Sequence, residues 1–367
     1  MPVSLVEKQR ISTSGARAVA PFTVGGHQLL AIAQLALDIP GQEPSMNGGD
    51  SDTSLLLLQR TKGRYVPWST LPAPGGEDAE FFTIQGRSFL AVASIRSGRG
   101  PYDFTTDSAI FEWDGTGFVL FQSVQTFAAK QWKHWQIGER HFLGLAQGVR
   151  RPDLATQNRD SFVYEWDGSS FVEFQRIKSQ WAYNWHPFFI GEQFFVAHAE
   201  HLDASLLYRW DGERLCPHQT LAARGGRAFA TFDRDGASYL VVASLLEPPR
   251  LMHWNGERFT DIQVLDGLGA RELAVVRRGE DLLVIRINFI LGTPADPHPV
   301  LDSQIYEWRD GSLHLAAQFP TSGGTDVAVL DYDGDLEILV SNSLSAQLRF
   351  ANDTVLYSLS TTPSAGQ

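Results

Sequence analysis

The sequence SFVYEWDGSSFVEFQRIKSQWAYNWHPFFIGEQFFVAHAE, residues 161–200, contains four strand patterns separated by short polar turns. SFVYEW and SFVEFQRI flank Asp167-Gly168, and NWHPFF is joined to QFFVAHA by Gly191-Glu192. Alternation of apolar and polar residues between Asp-Gly or Gly-x turns is typical of consecutive antiparallel hairpins. The pattern recurs along the whole chain, and a repeat of this kind decides the architecture.

Seven aligned octets begin the repeated units. They are GARAVAPF (15–22), GGEDAEFF (75–82), AAKQWKHW (128–135), WAYNWHPF (181–188), GGRAFATF (225–232), GARELAVV (269–276) and GGTDVAVL (323–330). Each octet is followed by a turn and a second strand, then by a third strand that commonly ends in Trp-x-Gly, and a fourth that resembles FVEFQRI. Seven copies of such a unit predict an all-β, seven-bladed β-propeller with four antiparallel strands in each blade.

The two ends of the chain fit a closed ring. The seventh unit ends with VLYSLS (355–360) and lacks a fourth strand, whereas SLVEKQRI (4–11) matches SFVEFQRI (170–177). The N-terminal strand is therefore expected to complete the last blade, which removes two exposed sheet edges. This predicts one domain over residues 3–360, with blade cores at 15–70, 75–126, 128–178, 181–221, 225–265, 269–319, and 323–360 plus 3–11. Residues 361–367 are predicted to form a flexible tail.

Composition excludes several classes of function. The net charge of −12 argues against binding to a nucleic-acid backbone. No apolar run approaches the roughly 20 residues of a membrane-spanning helix. The only cysteine is Cys216, so no intrachain disulfide forms. MPVSLVEKQRIST at the N-terminus has no apolar signal-peptide core, which predicts a cytoplasmic protein, or a secreted one if the sequence is a processed form. The sequence does not indicate an oligomeric state.

Three segments, FFTIQGRSFLAVAS (81–94), FVYEWDG (162–168) and FVEFQRI (171–177), resemble the epilepsy-associated repeat (EAR), also called the EPTP repeat. The resemblance extends over about residues 3–360 and is strongest in blades 2 to 4. It implies a seven-bladed propeller. The known animal members are secreted or cell-surface proteins that bind other proteins, so the resemblance implies a binding scaffold.

Long connections mark one face of the predicted ring. They are residues 34–53, 94–107, 147–160 and 288–302, and all four join a second strand to a third. These connections share a face of a propeller, whereas the hairpins on the opposite face are minimal. Long loops on a rigid scaffold commonly carry binding function. The sequence therefore predicts that this long-loop face holds a protein, a glycan or a small molecule.

The inner strands predict a polar channel. Octet positions 4 and 6 share one face of a strand. Position 4 holds Ala18, Asp78, Gln131, Asn184, Ala228, Glu272 and Asp326, and position 6 holds Ala20, Glu80, Lys133, His186, Ala230, Ala274 and Ala328. Glu80, Lys133 and His186 then lie side by side in blades 2 to 4, where they could act as an acid–base group. The alternative is a mutually satisfied polar ring in a water-filled channel.

The acid–base interpretation gives an alternative function, a cofactor-free cyclase, isomerase or lyase. Its substrate would be a small aromatic or apolar molecule in the funnel over blades 2 to 4, with Glu80 or His186 as base or acid and Lys133 tuning them. Trp132 or Trp185 would stack on that substrate. The other interpretation of these tryptophans is that they pack between blades.

Two second-strand residues also differ from their counterparts. His198 and Arg286 occupy a column that is otherwise aliphatic, so each needs a polar partner. They are candidates for ligand binding, or else a core histidine bonded to the backbone and an arginine paired with a carboxylate such as Glu272. The full candidate set for ligand binding is Asp78, Gln131, Trp132, Tyr183, Asn184, Trp185, His198, Arg286 and Glu272.

Cofactor motifs are absent from the sequence. It contains no phosphate-binding loop, dinucleotide fingerprint or zinc spacing. Calcium is the one candidate, bound at the channel mouth by Asp78, Glu272 and Asp326. The EAR resemblance also implies a cation near the channel.

Overall fold

The computed structural model describes residues 3–151, 154, 157–293, 295–332 and 334–361. Every named element in this part of the chain is a β-strand, beginning with β1 (Val3–Ser14). The strands form seven four-stranded antiparallel sheets and one two-stranded ribbon. The predicted all-β, seven-bladed propeller is confirmed.

The first four blades follow the chain in simple order, each built from four consecutive strands that pair with their sequence neighbours. These strands are β2 (Ala16–Val24), β3 (His27–Gln34), β4 (Ser54–Thr61) and β5 (Arg64–Pro72) in blade 1; β6 (Gly76–Ile84), β7 (Arg87–Ser94), β8 (Thr105–Trp113) and β9 (Phe118–Phe127) in blade 2; β10 (Gln131–Ile137), β11 (Arg140–Ala146), β12 (Ser161–Trp166) and β13 (Phe171–Ile177) in blade 3; and β14 (Ala182–Ile190), β15 (Gln193–Glu200), β16 (Ser205–Trp210) and β17 (Leu215–Ala222) in blade 4.

Blades 5 and 6 repeat this order, and a short ribbon is inserted in the long loop of blade 6. Their strands are β18 (Gly226–Arg234), β19 (Ala237–Ser244), β20 (Arg250–Trp254) and β21 (Phe259–Val264) in blade 5, and β22 (Ala270–Arg278), β23 (Asp281–Asn288), β26 (Val300–Arg309) and β27 (Ser312–Ser322) in blade 6, with β24 (Leu291–Thr293) and β25 (Asp296–His298) as the ribbon.

Blade 7 closes the ring as the sequence predicts. It contains β28 (Gly324–Tyr332), β29 (Asp335–Asn342) and β30 (Ala351–Thr361), and β1 pairs with β30 as its outer strand. The pairing runs from Val3 opposite Thr361 to Ser14 opposite Ala351. Thr361, placed in the tail by the sequence prediction, is the last residue of β30, and residues 362–367 lie outside the described part.

Aromatic side chains join neighbouring blades. The tryptophan that ends the third strand packs on the second strand of the preceding blade. Ring centroids lie 5.6 Å apart for Trp166 and Phe89, 5.5 Å for Trp210 and Phe142, 5.3 Å for Trp254 and Phe195, and 4.5 Å for Trp308 and Tyr239. Each such pair contributes about 0.5–1.5 kcal/mol beyond area burial. This packing explains why Trp-x-Gly recurs in blades 2 to 5, with the longer Trp308-Arg309-Asp310-Gly311 in blade 6.

The first strands contact one another around the ring and enclose the channel. In five of them the Cα pairing with the second strand skips octet position 3, which forms a bulge. A bulge redirects the side chain of the extra residue. The residues skipped are Arg17, Glu77, Arg227, Arg271 and Thr325.

None of the described residues belongs to a helix with the length and apolar character required to span a membrane.

Candidate functional site

The channel is a cavity of about 320 Å³ between the first strands. Its walls include the predicted residues Asp78, Glu80, Gln131, Lys133, Asn184, Glu272 and Asp326. Octet position 4 therefore lines the channel in six blades and position 6 in blades 1 to 3, on the side that the period-2 alternation predicts.

Three position-4 side chains are used to tie blades together. Each accepts a hydrogen bond from a backbone N–H of the next blade: Asp78 from Trp132 at 2.9 Å, Gln131 from Trp185 at 2.6 Å, and Asp326 from Val19 at 2.7 Å. A buried N–H without a partner costs about 1–3 kcal/mol, so these contacts have a structural role.

Three acidic groups of the channel, Glu272, Asp326 and Asp78, hold protons more strongly than free carboxyls. Burial, followed by repulsion from Asp326, raises the pKa of Glu272 to about 7. Burial raises the pKa of Asp326 to about 6 and that of Asp78 well above its usual range. Glu272 accepts a hydrogen bond from Asn184 at 2.9 Å and one from the N–H of Leu273 at 3.1 Å.

The calcium site predicted at Asp78, Glu272 and Asp326 stays a prediction. Among the described residues there is no group of three or more His, Cys, Asp or Glu side chains arranged to hold a metal ion. Asp78 and Asp326 direct their oxygens at backbone N–H groups, and Glu272 accepts from Asn184. The three carboxyls share the channel, but they do not form a ligand cluster.

Glu80 and Lys133 form an ion pair of 3.1 Å across blades 2 and 3. Glu80 raises the pKa of Lys133, which keeps the ammonium charged. Glu80 also accepts a hydrogen bond from the N–H of His134 at 3.1 Å. The other predicted member, His186, bonds instead to Thr231 Oγ1 at 3.0 Å, and burial lowers its pKa to about 3. The structure thus places an ion pair and a neutral histidine where the sequence predicts a joint acid–base group.

Trp132 and Trp185, for which the sequence leaves open ligand stacking or packing between blades, are both fully buried between blades. Trp132 donates its indole N–H to the carbonyl of Val92 in blade 2 at 3.3 Å. Trp185 packs against Trp135 of blade 3, with ring centroids 6.1 Å apart. Gly144 leaves room for these rings, since a Cβ there would lie 2.6 Å from Trp135.

His198 and Arg286 are also buried core residues. His198 bonds to Ser161 Oγ at 3.0 Å, and burial lowers its pKa to about 4. Arg286 is fully buried and donates to Asn288 Oδ1 and to the carbonyls of Asp266 and Leu268. These hydrogen-bond partners differ from the ones predicted for a core role, which were a backbone group for His198 and a carboxylate such as Glu272 for Arg286.

A second cavity, which we call the funnel, opens on the long-loop face and has a volume of about 380 Å³. Its apolar wall comes mainly from the long loops and from the ends of second strands. This wall is formed by Leu35, Met46, Ile95, Phe104, Val149, Trp181, Leu245, Phe289 and Ile290. Its floor is formed by the octet position-3 side chains of blades 1 to 6. Arg17, Glu77, Lys130 and Arg271 line both the funnel and the channel, whereas Tyr183 and Arg227 line the funnel alone.

Strict alternation along the first strands does not predict this floor. Alternation assigns position 3 to the same side as the buried position 5, but the bulges redirect it. A signal was present, because the column reads Arg17, Glu77, Lys130, Tyr183, Arg227, Arg271 and Thr325, without one aliphatic residue. Tyr183 is the one predicted ligand-binding residue in the funnel, and its ring lies 3.8 Å from the Arg227 guanidinium and 4.9 Å from that of Arg271.

The floor carries an excess of positive charge. Glu77 lies 3.5 Å from Arg17 and 3.9 Å from Arg271. Burial lowers the pKa of Lys130 to about 7 and that of Arg227 to about 10. Among the described residues, Arg17 Nε and Arg271 NH1 are buried and have no hydrogen-bond partner.

Exposed leucines lie on the same face of the ring. We call this set the leucine rim, and its members are 38 to 46 % exposed: Leu37, Leu202, Leu246, Leu268 and Leu291. Each stands in a connection between a second and a third strand, or in a link between blades. An apolar surface around a polar cavity is typical of a recognition site.

The profile of the EPTP domain matches residues 4–51, 64–114, 117–167, 170–211 and 216–255, which together make up more than half of the chain. The chain belongs to the EPTP domain family. The resemblance found in the sequence is therefore confirmed, and the matched segments place the family pattern in blades 1 to 5 of this EPTP propeller and in β1, the closing strand of blade 7.

Two proteins with EAR repeats are similar to this EPTP propeller. The mouse "Thrombospondin-type laminin G domain and EAR repeat-containing protein" is 30% identical over 153 residues, which cover 41% of this chain and 22% of the mouse protein. The human protein of the same name is 28% identical over 149 residues, covering 40% of this chain and 21% of its own length. The matched region thus spans about a fifth of these relatives.

Proposed function

We propose that this EPTP propeller is a protein-binding scaffold that uses its long-loop face. The observation that carries the proposal is the leucine rim on the face where the cationic funnel opens. Apolar contacts supply most of the free energy of such an interface, and a desolvated charged centre supplies selectivity. Membership of the EPTP family supports a scaffold role.

Charge complementarity indicates the chemistry of the partner. The chain has a net charge of −12, yet Arg17, Lys130, Arg227 and Arg271 meet in the funnel with Glu77 as the one lining carboxylate among the described residues. A uniformly acidic partner is repelled by most of the surface. The partner that fits has an acidic group among apolar residues, so that the charge enters the funnel while apolar side chains contact the rim.

A displayed library of short random peptides tests this proposal. We expect selected sequences to combine an acidic group with apolar residues, and we expect Leu202→Ser with Leu246→Ser to weaken their binding at least tenfold. Leu120→Ser is the matched control, because Leu120 is 61% exposed on the outer strand β9, away from the long-loop face. Selected peptides that lack acidic groups, or that lose binding only with the control, would overturn the proposal.

A further inference from the structure

Four buried cations face one carboxylate at the floor of the funnel. Lys130, Arg227 and Arg271 are each less than 7 % exposed, and the Arg17 side chain is 10% exposed. Glu77 is the one carboxylate among the described residues that line this cavity. Buried charge without a counter-ion is costly. The floor is therefore arranged for an additional negative group.

Free donors show where that group would bind. Arg271 NH1 is buried without a hydrogen-bond partner in the described part of the chain, although a buried donor normally has one. Arg17 Nε also makes no hydrogen bond there, and its nearest acidic oxygen is Glu77 Oε1 at 3.5 Å. Lys130 Nζ, which can donate three hydrogen bonds, makes one of 3.2 Å to the carbonyl of Ala128. Arg96, also in the funnel wall, differs because its three nitrogens donate to Ser51, Asn47 and Gly48.

The shape of the funnel restricts how an anion can arrive. The cations lie at the floor, and the wall above them is apolar, including Leu245, Phe289 and Ile290. A volume of about 380 Å³ is near the lower limit for a small-ligand site. An acidic residue within a partner polypeptide could reach the floor only if the funnel also held the partner backbone on both sides of that residue. A chain terminus enters end-on, with its carboxylate at the floor and its last side chains against the wall.

We propose that the funnel binds the C-terminal carboxylate of a partner polypeptide whose last residues are apolar. The carboxylate pairs with Arg17, Lys130 and Arg271, and the apolar side chains contact Leu245, Phe289 and Ile290. This inference rests on the proposed protein-binding role of the long-loop face, and it adds the part of the partner that is recognised. Capture of a terminal carboxylate by unpaired donors is one of the recurring modes of peptide recognition.

Paired peptides test the inference directly. The probes are acetylated tripeptides built from Leu, Ile, Val and Phe, each prepared with a free C-terminal carboxylate and with a C-terminal amide. Calorimetric titration into the intact propeller should show that the acids bind at least tenfold more tightly than the matching amides. Equal binding of acid and amide would overturn the inference.

Substitutions locate the site. Lys130→Gln and Arg271→Gln should each weaken binding of the acid at least tenfold and leave the amide unchanged. Lys133→Gln is the matched control. It also replaces a lysine with glutamine, but Lys133 lines the channel and not the funnel. Loss of binding with Lys133→Gln alone would place the carboxylate elsewhere and overturn the inference. Thermal unfolding of each variant confirms that it is folded.

Two further probes separate this inference from the proposed function. Octanoate carries a carboxylate on an apolar chain but no peptide. Binding of octanoate without binding of any tripeptide acid would assign the funnel to small organic acids and overturn the inference. Selection of internal acidic peptides from the displayed library, with no preference for a free C-terminus, would also overturn it while supporting the proposed function.

Discussion

Asp78 Oδ2 accepts a hydrogen bond of 2.9 Å from the backbone N–H of Trp132, which belongs to the next blade. Gln131 and Trp185 repeat this relationship between blades 3 and 4 at 2.6 Å. The polar residues of the channel thus satisfy the inner strands of their neighbours. This arrangement gives Asp78 and Gln131 a structural role in joining neighbouring blades.

Two substitutions at Asp78 separate the hydrogen bond from the charge. Asp78→Ala removes the acceptor and leaves the N–H of Trp132 unsatisfied, which should lower the free energy of unfolding by about 1–3 kcal/mol. Asp78→Asn keeps an oxygen acceptor, and it removes an ionisable group whose pKa burial has already raised. Asp78→Asn should therefore lower the free energy of unfolding by less than half as much as Asp78→Ala, measured by urea unfolding at neutral pH. Equal losses would show that the hydrogen bond is not what stabilises the contact.

The repeated pattern was sufficient to predict the ring. Octet alignment located the seven inner strands, and the match between residues 4–11 and 170–177 predicted that β1 closes blade 7. Both inferences depend on local alternation and on repetition, which one sequence displays. The side of each position-4 and position-6 residue was predicted for the same reason.

The side-chain contacts between blades could not be predicted from the sequence. Alternation predicts which face of a strand a side chain lies on, but it does not predict which residue that side chain contacts. Asp78 faces the channel as predicted, yet its carboxylate reaches sideways to Trp132. The funnel was missed for another reason: a bulge at position 3 reverses the expected direction of Arg17 and Arg271. Alternation alone does not predict where a strand will bulge. The absence of aliphatic residues at octet position 3 in all seven blades is the sequence feature that coincides with the bulges.

The raised pKa values of the channel acids make stability depend on pH. An acid with a higher pKa in the folded state binds more protons when folded, so its contribution is complete below its unfolded pKa and is lost as pH rises through the folded value. For Glu272 and Asp326 that window runs from about 4 in the unfolded chain to about 6–7 when folded. We expect the Glu272→Gln, Asp326→Asn double variant to gain roughly 2–4 kcal/mol relative to wild type between pH 4 and pH 7.

Thermal unfolding at several pH values measures this difference. Asp310→Asn serves as the control, because that carboxylate is exposed on a hairpin and its replacement should leave the pH profile unchanged. A difference between the double variant and wild type that stays constant from pH 4 to pH 7 would contradict the prediction.

Ring closure depends on the buried carboxylate of Glu337. Its side chain is fully buried on β29, and it pairs with Lys8 on β1 at 2.5 Å and with Arg60 on β4 at 2.6 Å. Removing one member of a buried ionic group leaves the others uncompensated, so Glu337→Ala should lower the free energy of unfolding by about 3–5 kcal/mol. Glu7→Ala removes the exposed partner of Arg10 on the same closing strand and should cost less than about 1 kcal/mol.

Chemical unfolding of the two variants at neutral pH provides the comparison. Similar losses for Glu337→Ala and Glu7→Ala would mean that the buried carboxylate does not hold the ring closed. A shallower dependence on denaturant for Glu337→Ala would indicate instead that the closing strand detaches before the rest of the propeller unfolds.

Lys130 and Lys133 should respond in opposite directions to the same substitution. Lys130 is buried beside Arg17, Arg227 and Arg271, with Glu77 as the opposing charge, and burial lowers its pKa to about 7. Replacing it with methionine removes a poorly compensated buried charge, so Lys130→Met should stabilise the fold by about 1–4 kcal/mol at neutral pH. Lys133→Met leaves Glu80 without its ion-pair partner and should destabilise the fold.

The gain from Lys130→Met should also depend on pH in a defined direction. A lysine with a lower pKa in the folded state destabilises the fold while it is charged there, and this penalty disappears as pH rises from the folded value of about 7 to the unfolded value of about 10.4. The difference in melting temperature between Lys130→Met and wild type should therefore be largest near pH 6 and should shrink toward pH 10. A difference that does not vary with pH would contradict the argument. A side chain whose removal both stabilises the fold and weakens peptide binding would show the trade-off between stability and function that recurs at functional sites.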